Sequence, residues 1–446
     1  MNNLTRLFLI LSICTLNSCK SKTNKISILA ESATSIQSMM ALEKEYETKY
    51  PDVDLDFKPN SFDDAFNKAN QDFANGTGLY DIVMQYNFSL ASFVSNKYVY
   101  QIDDLIKKLP DSTKAFEKDL FPDAWREIGF YKNIDNPNGE MVKVGYPFTS
   151  NTMLLCYNNN LFNDEKQKAA YKLKYNEDLQ IPTTWEKYEH VAEFFTQPQN
   201  KTYGVCLQGA VGGWLYYEWM NFLFGMGGKV MDKKYGWQGN ENTKVLLNTQ
   251  EAINAAKYYY KLKPFNAGNF TNVDAYEQVK IMKQGNVAMS IIWSDLAFST
   301  AVKPDNTFDT RFGFAPIPGN KSMLAGGSYF INRKSKNPEV AAKYILDLMQ
   351  PNNQIALTKK GLCSALKTVY DDPEIQKIPY SNALKISLER GVYMLEAGID
   401  ATMISDKITA NLQKMWSKEL SPEQAVANMQ KEIDTERKSI YANLKK

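Results

Sequence analysis

The 446-residue chain has one histidine, His190. Triads with a histidine base, and zinc sites with two or three imidazoles, could form only around that residue. It lies in an apparent helix, Trp185–Phe195, among Glu186, Lys187, Glu189 and Glu193, where an exposed helical histidine is the plain reading. Histidine-dependent catalysis is not expected. Cysteine is also scarce: there are five, with no CxxC spacing. Cys14 and Cys19 belong to an amino-terminal segment, and the odd set Cys156, Cys206 and Cys363 indicates neither a zinc cluster nor a dithiol centre. These three read as small, partly buried apolar residues. Charge of one sign is missing too, since 52 Lys+Arg face 50 Asp+Glu. That balance argues against a strongly basic nucleic-acid surface and against an acidic tail. After the amino terminus no run approaches the length of a membrane-spanning helix. There is no repeat of solenoid length.

Catalytic and ligand motifs fail on inspection. Ser364-Ala365-Leu366-Lys367 fits S-x-x-K, but its companion motifs are missing and Ser294-Asp295 continues into Leu296. Gly225-Met226-Gly227-Gly228 lacks the Lys-Ser/Thr of a phosphate cradle and reads as a tight turn after a helix. Asp52-x-Asp54-x-Asp56 opens like a calcium loop, yet Phe57 replaces the required glycine and Asp63 the closing glutamate; it reads as the outer face of a strand. No metal or cofactor is indicated. Paired glycosidase carboxylates, distant in sequence and close only in space, leave no such trace.

What is present is a chain long enough for two or three domains, 44% hydrophobic and 23% charged. Aromatics reach 13%, with 26 Tyr, 23 Phe and 7 Trp, and this surplus is the compositional oddity. Residues 1–18 read as an export signal: Arg6, then the apolar stretch Leu7–Leu16, too short to span a bilayer. The stretch ends Leu16-Asn17-Ser18-Cys19, which resembles a lipoprotein cleavage box with Cys19 as the lipidated residue. Two or more acyl chains anchor a protein stably. Residues 19–25 form a polar, basic tether, and no acidic residue follows Cys19, so a periplasm-facing anchor in the cell envelope is expected.

The mature chain alternates strand and helix signals. Ile26, Ile28 and Ala30 mark one strand, Val53, Leu55 and Phe57 a second, and residues 81–84 a third. Between them a helix opening at Ser32–Ser35 presents Ile36, Met39, Met40 and Tyr46 on one face until Pro51. Val144–Phe148 and Met153–Tyr157 read as two strands around Thr149-Ser150-Asn151, and Val287–Trp293 as another. Helices are expected at Gln250–Leu262 and after Asn337-Pro338, with capping boxes at Thr183-x-x-Glu186 and Ser421-Pro422-Glu423-Gln424. From Pro351 onward the chain reads as mostly helical. This alternation predicts an α/β architecture with parallel neighbours.

Aromatic residues stand beside small polar ones where strands end. Gln85-Tyr86-Asn87, Gly212-Gly213-Trp214, Trp293-Ser294-Asp295 and Gly326-Gly327-Ser328-Tyr329 are four such places. Ligands of open α/β sheets bind beyond the carboxyl ends of strands. A ring offers its face to the C–H side of a sugar, while Asn, Ser and Asp serve the hydroxyls.

In order and spacing, several stretches resemble bacterial extracellular solute-binding proteins of the sugar-binding family 1 type, the capture subunits of ABC importers. They are Ile181–Glu186, Phe222–Asp232, Gln284–Met289 with Trp293, Phe312–Gln350, Gly145–Phe148 leading to Tyr157-Asn158-Asn159, and Trp416–Glu423. The resemblance implies a two-lobe, type II periplasmic-binding-protein-like fold, each lobe a sheet flanked by helices, with the ligand cleft between. Residues 26–146 plus 325–355 would form lobe one, and 147–324 plus 356–446 lobe two. It implies non-catalytic capture of a carbohydrate, an oligosaccharide, by a monomer that delivers it to an ABC permease, with no role in nucleic-acid binding. Carried over by position, the contacts would be Glu31, Ser32, Tyr86, Asn87, Ser150, Asn151, Trp214, Trp293, Asp295, Gly327 and Ser328, with Arg390 on a later helix. The chain departs from the pattern in insertions at Lys132–Gly139 and Asp164–Gln180. The same fold with a polyamine or metal-chelate cargo, a largely helical outer-membrane glycan-docking lipoprotein, and an envelope hydrolase are the alternatives.

Overall fold

The computed structural model describes residues 24–132, 141–210, 213–305, 307–319 and 321–443. Residues 1–18, expected to be an export signal, Cys19 and most of the Lys132–Gly139 insertion lie outside the described residues. The strands are β1 (Asn24–Glu31), β2 (Val53–Asn60), β3 (Ile82–Tyr86), β4 (Phe130–Lys132), β5 (Met141–Lys143) and β6 (Pro147–Asn158), followed by β7 (Tyr203–Val205), β8 (Val287–Trp293), β9 (Phe312–Pro316), β10 (Ser322–Ile331) and β11 (Val392–Met394). Nine of them join in the order β2-β1-β3-β10-β6-β8-β7, with β11 beside β10 and β9 beside β6; β4 and β5 form a separate pair.

Two long strands divide this sheet into lobes. The first half of β6 pairs antiparallel with β10, from Pro147 to Thr152. From Met153 onward the same strand pairs with β8 on one side. On its other side Leu154–Asn158 pair with β9. The first lobe is therefore built on β2, β1, β3 and β10, and the second on β9, β6, β8 and β7. β1 lies parallel to both β2 and β3. It is covered on both faces, so Ile26, Ile28, Leu29 and Ala30 are all buried, as central parallel strands require.

The single strand β6 corrects the expectation of two strands around Thr149-Ser150-Asn151. Polar residues there resemble a loop, but Ser150, Thr149 and Asn151 are buried and paired with Gly326, Gly327 and Ala325. The ladder satisfies their backbone groups, as burial demands. Gly326 is a spacing requirement: a Cβ would come within 1.9 Å of Ile128 Cδ1.

Helix signals hold with small shifts. The first helical stretch is broken into Thr34–Met40 and Glu43–Lys49, yet Ile36, Met39, Met40 and Tyr46 still join one apolar cluster. The helix Trp185–Phe195 is capped by Thr184, one residue later than expected, accepting from Lys187 N–H at 3.3 Å. The last helix, Pro422–Asn443, has the reciprocal box: Gln424 N–H donates to Ser421 Oγ at 3.2 Å and Ser421 N–H to Gln424 Oε1 at 2.9 Å. His190 stacks on Tyr175 at 4.5 Å and meets Glu177 at 3.0 Å. Ser364 of the S-x-x-K match is buried, donating to Gln354 Oε1 at 2.7 Å. Cys156, Cys206 and Cys363 are free and fully rather than partly buried, and burial pushes each thiol up.

One apolar cluster reaches from Ile26 in the first lobe to Phe312 and Leu388 in the second, so the lobes share a core on one side. A second bridge runs through Trp237, whose indole N–H donates to Arg126 O at 2.8 Å. Among the described residues no helix is long and apolar enough to cross a membrane. The extended sheet excludes the largely helical glycan-docking alternative.

Candidate functional site

A cleft of about 250 Å³ opens where the carboxyl ends of β1 and β3 face the end of β8. Glu31 ends β1 and Tyr86 ends β3, and Asn87 and Phe88 follow at once. These, with Phe62 and Asp63 at the start of helix Phe62–Asn75, form the first wall. The opposite wall comes from the second lobe. Trp293 closes β8, Asp295 lies in the first turn of helix Ser294–Ala301, and Asn151 sits at the lobe crossing of β6. Trp214 and Tyr217 belong to helix Trp214–Gly225, entered through Gly213 at φ 98°, a left-handed conformation natural only to glycine. Tyr276 starts from helix Ala275–Lys283 and is 53% exposed, a ring at the rim.

Glu31 is the junction of the two walls. Tyr86 OH donates to its Oε2 at 2.7 Å from the same lobe, and Tyr276 OH to its Oε1 at 3.2 Å from across the cleft. A second bridge is Thr34 Oγ1, which donates to Asp295 O at 3.3 Å. Burial raises Glu31 above the usual carboxylate range, opposed by the tyrosine hydrogen bonds and assisted by the charge of Asp63. Burial, then the charge of Glu31, pushes Asp295 up to about 6. Asn151 Oδ1 accepts from Ser294 Oγ at 2.7 Å and from Asp295 N–H at 3.2 Å, while its NH₂ faces the Asp295 carboxylate and works against the effect of burial there. Tyr217 meets Trp293 edge to face at 5.7 Å and Trp214 at 5.9 Å, which fixes the ring wall of the second lobe.

Seven of the twelve positions anticipated from sequence line this cleft: Glu31, Tyr86, Asn87, Asn151, Trp214, Trp293 and Asp295. The other five do not. Ser32 is exposed and accepts from Gln37 at 3.2 Å. Ser150 is wholly buried in β6, its N–H donating to Cys363 O at 2.8 Å. Gly327 is held against Phe148, where a Cβ would approach the ring to 2.4 Å. Ser328 Oγ, fully buried, donates to Ile128 O at 2.7 Å. Arg390 is exposed at the end of helix Ser381–Glu389, and the Asp164–Gln180 insertion packs as helix Glu165–Tyr175 away from the lining. Phe62, Asp63, Phe88, Tyr217 and Tyr276 are additional lining residues. For Phe62 and Tyr276 the available signal was an aromatic just after a helix cap, Ser61 and Asp274.

Two sheet-based lobes connected by crossing strands, with a ring-lined cleft at the strand ends, define a two-lobe periplasmic-binding-protein-like protein. The family model of the bacterial extracellular solute-binding proteins matches residues 30–349, and the chain belongs to that family. It is a non-catalytic binding protein, as that membership entails. A search of curated proteins returns no match. Among solved structures, the chain is similar to an ABC transporter solute-binding protein of Agrobacterium radiobacter in complex with ribitol, at 20% identity over 92% of this chain and 98% of that one, TM-score 0.76. It is similar to maltose-bound MalE3 of T. maritima, at 19% identity over 92% and 99% of the two chains, TM-score 0.73. The GacH receptor of Streptomyces glaucescens, solved unliganded and with acarbose, aligns at 20% identity over 93% and 98%, TM-score 0.73.

Proposed function

We propose that the cleft captures a carbohydrate, an oligosaccharide, without altering it and presents it to an ABC permease. The observation that carries this reading is the joint wall of Tyr86, Trp214, Tyr217 and Trp293, with Glu31, Asn87, Asn151 and Asp295 between the rings. Rings cover the apolar faces of a sugar, while carboxylate and amide groups take its hydroxyls. A glycan longer than the cleft passes over Phe62 and Tyr276, which are 37% and 53% exposed at the rim. The sugar, sugar-alcohol and acarbose ligands of the similar structures support the same class.

The crossings of β6 and β10 support a division into 26–146 plus 325–355 and 147–324 plus 356–446. A ligand touching both walls favours the closed arrangement, because only there is it bound from both sides at once. Hinge closure of this kind lets a permease tell loaded protein from empty. The protein works as a monomer, takes no nucleic acid, and is held periplasm-facing through lipid on Cys19. Calorimetric titration with a broad glycan panel tests the assignment: saturable binding of a glycan is expected, and binding of another solute class alone overturns it.

A further inference from the structure

On the reading that the cleft holds a carbohydrate, we propose that this ligand carries a protonated amino group, held beside Glu31 and Asp295 with Asp63 at the rim. Those are the three charged side chains of the lining, and among its described residues there is no Lys, Arg or His. The donors around them are neutral. Glu31 receives two tyrosine hydroxyls, and Asp295 receives the Leu296 N–H at 2.8 Å on Oδ1 and the Asn151 amide. Hydrogen bonds of this kind orient the carboxylates without cancelling their charge.

That arrangement carries an electrostatic cost. Burial and then the charge of Glu31 raise Asp295, and burial raises Glu31 against its tyrosine hydrogen bonds, with Asp63 adding to it. An arriving ammonium reverses both effects, because attraction between unlike charges grows as water leaves the closing cleft. The ring walls add to the selection, since tyrosine and tryptophan faces attract cations. A metal ion is the poorer occupant: among the described residues no three His, Cys, Asp or Glu side chains converge to hold one. Acidic glycans meet an uncompensated negative wall and are rejected.

The test compares free-amine glycans with their N-acetylated counterparts by calorimetry at pH 7.5: glucosamine oligomers against N-acetylglucosamine oligomers, and aminocyclitol glycosides against their N-acetyl forms, with malto-oligosaccharides, oligogalacturonates and spermidine alongside. A free amine is expected to bind at least about tenfold tighter than its acetylated form, a ratio within the range of a desolvated cation contact. The ratio should shrink in Asp63→Asn and in Asp295→Asn. Neutral glycans binding as tightly as amino glycans would overturn the inference and leave carbohydrate capture standing. Spermidine binding with no glycan binding would overturn carbohydrate capture itself, and no binding by any probe would overturn both.

Discussion

The second lobe and the cleft treat buried carboxylates in opposite ways. In the second lobe Asp400 faces Arg437, with Nε donating at 2.7 Å while the remaining guanidinium nitrogens reach Thr243 O and Asn240 O at 2.6 Å each. Glu396 is paired with Lys233. Asp309 is forked by Arg311. The first lobe satisfies Asp72 with the N–H groups of Leu79 and Tyr80 and with Asn332 Nδ2. These four thus receive a cation or several donors, as a low-dielectric interior favours, whereas buried Glu127, with the Gly236 N–H, and Glu218 are raised by burial instead. Glu31 has two tyrosine hydroxyls and Asp295 the Leu296 N–H and the Asn151 amide, but neither faces a cation in the lining. The cation-paired acids are parts of the structure, while Glu31 and Asp295, beside one another without a cation, stand where a ligand enters.

The sharpest way to break this contrast is to remove a structural cation. Arg437→Met leaves Asp400 buried and unpaired and should cost about 3–5 kcal/mol in denaturant unfolding; a loss within experimental error would mean that the second lobe does not depend on its pairs. Glu218 is an intermediate case. It is wholly buried, its oxygens lack well-formed hydrogen bonds although Gln208 and Gln278 lie beside them, and burial pushes it up to about 8. The folded state therefore holds a proton that the unfolded state releases between about pH 4.5 and 8, so wild-type stability falls as pH rises through that window. Glu218→Gln, free of that loss, should be more stable by about 2 kcal/mol at pH 8 and by little at pH 4 in thermal melts.

Smaller effects concern the cleft. Trp293→Ala should weaken glycan binding by at least about 1 kcal/mol in calorimetry if the ring stacks on ligand, and unchanged affinity would remove Trp293 from the contact surface. Asp295→Asn should stabilise the unliganded protein by about 1 kcal/mol at pH 7.5. The sign follows from a folded value above the unfolded one: the penalty of ionising Asp295 grows from about pH 4 and is complete above about 6. Tyr276→Phe deletes the 3.2 Å bond to Glu31 between the lobes and should shift affinity by less than about 1 kcal/mol, read by the same titration.

Much of this molecule was legible in its sequence. Period-two patterns located β1 and β2, the apolar run 287–293 is β8 to the residue, and the cap at Ser421 opens the last helix. Cleft residues at strand ends were readable because α/β sheets bind ligands there, as for Tyr86 and Trp293, while Glu31 was reached through the family resemblance. Others were not. Gly327 and Ser328 have the composition of a ligand loop, but they serve close packing against Phe148 and a bond to Ile128. Tyr217 lies within an almost wholly apolar helix, where no periodicity separates a cleft-facing ring from a core one. The crossing strand β6 looked interrupted because its buried polar residues are satisfied by β10, a partner about 170 residues away that local pattern cannot register.

Carbohydrate capture between the lobes is tested most directly by small-angle scattering and calorimetry on one sample, titrated with the glycan panel. Saturable binding accompanied by a smaller radius of gyration, both lost in Trp293→Ala, is the predicted result. A glycan that binds with equal affinity in wild type and Trp293→Ala, with no compaction, would contradict it.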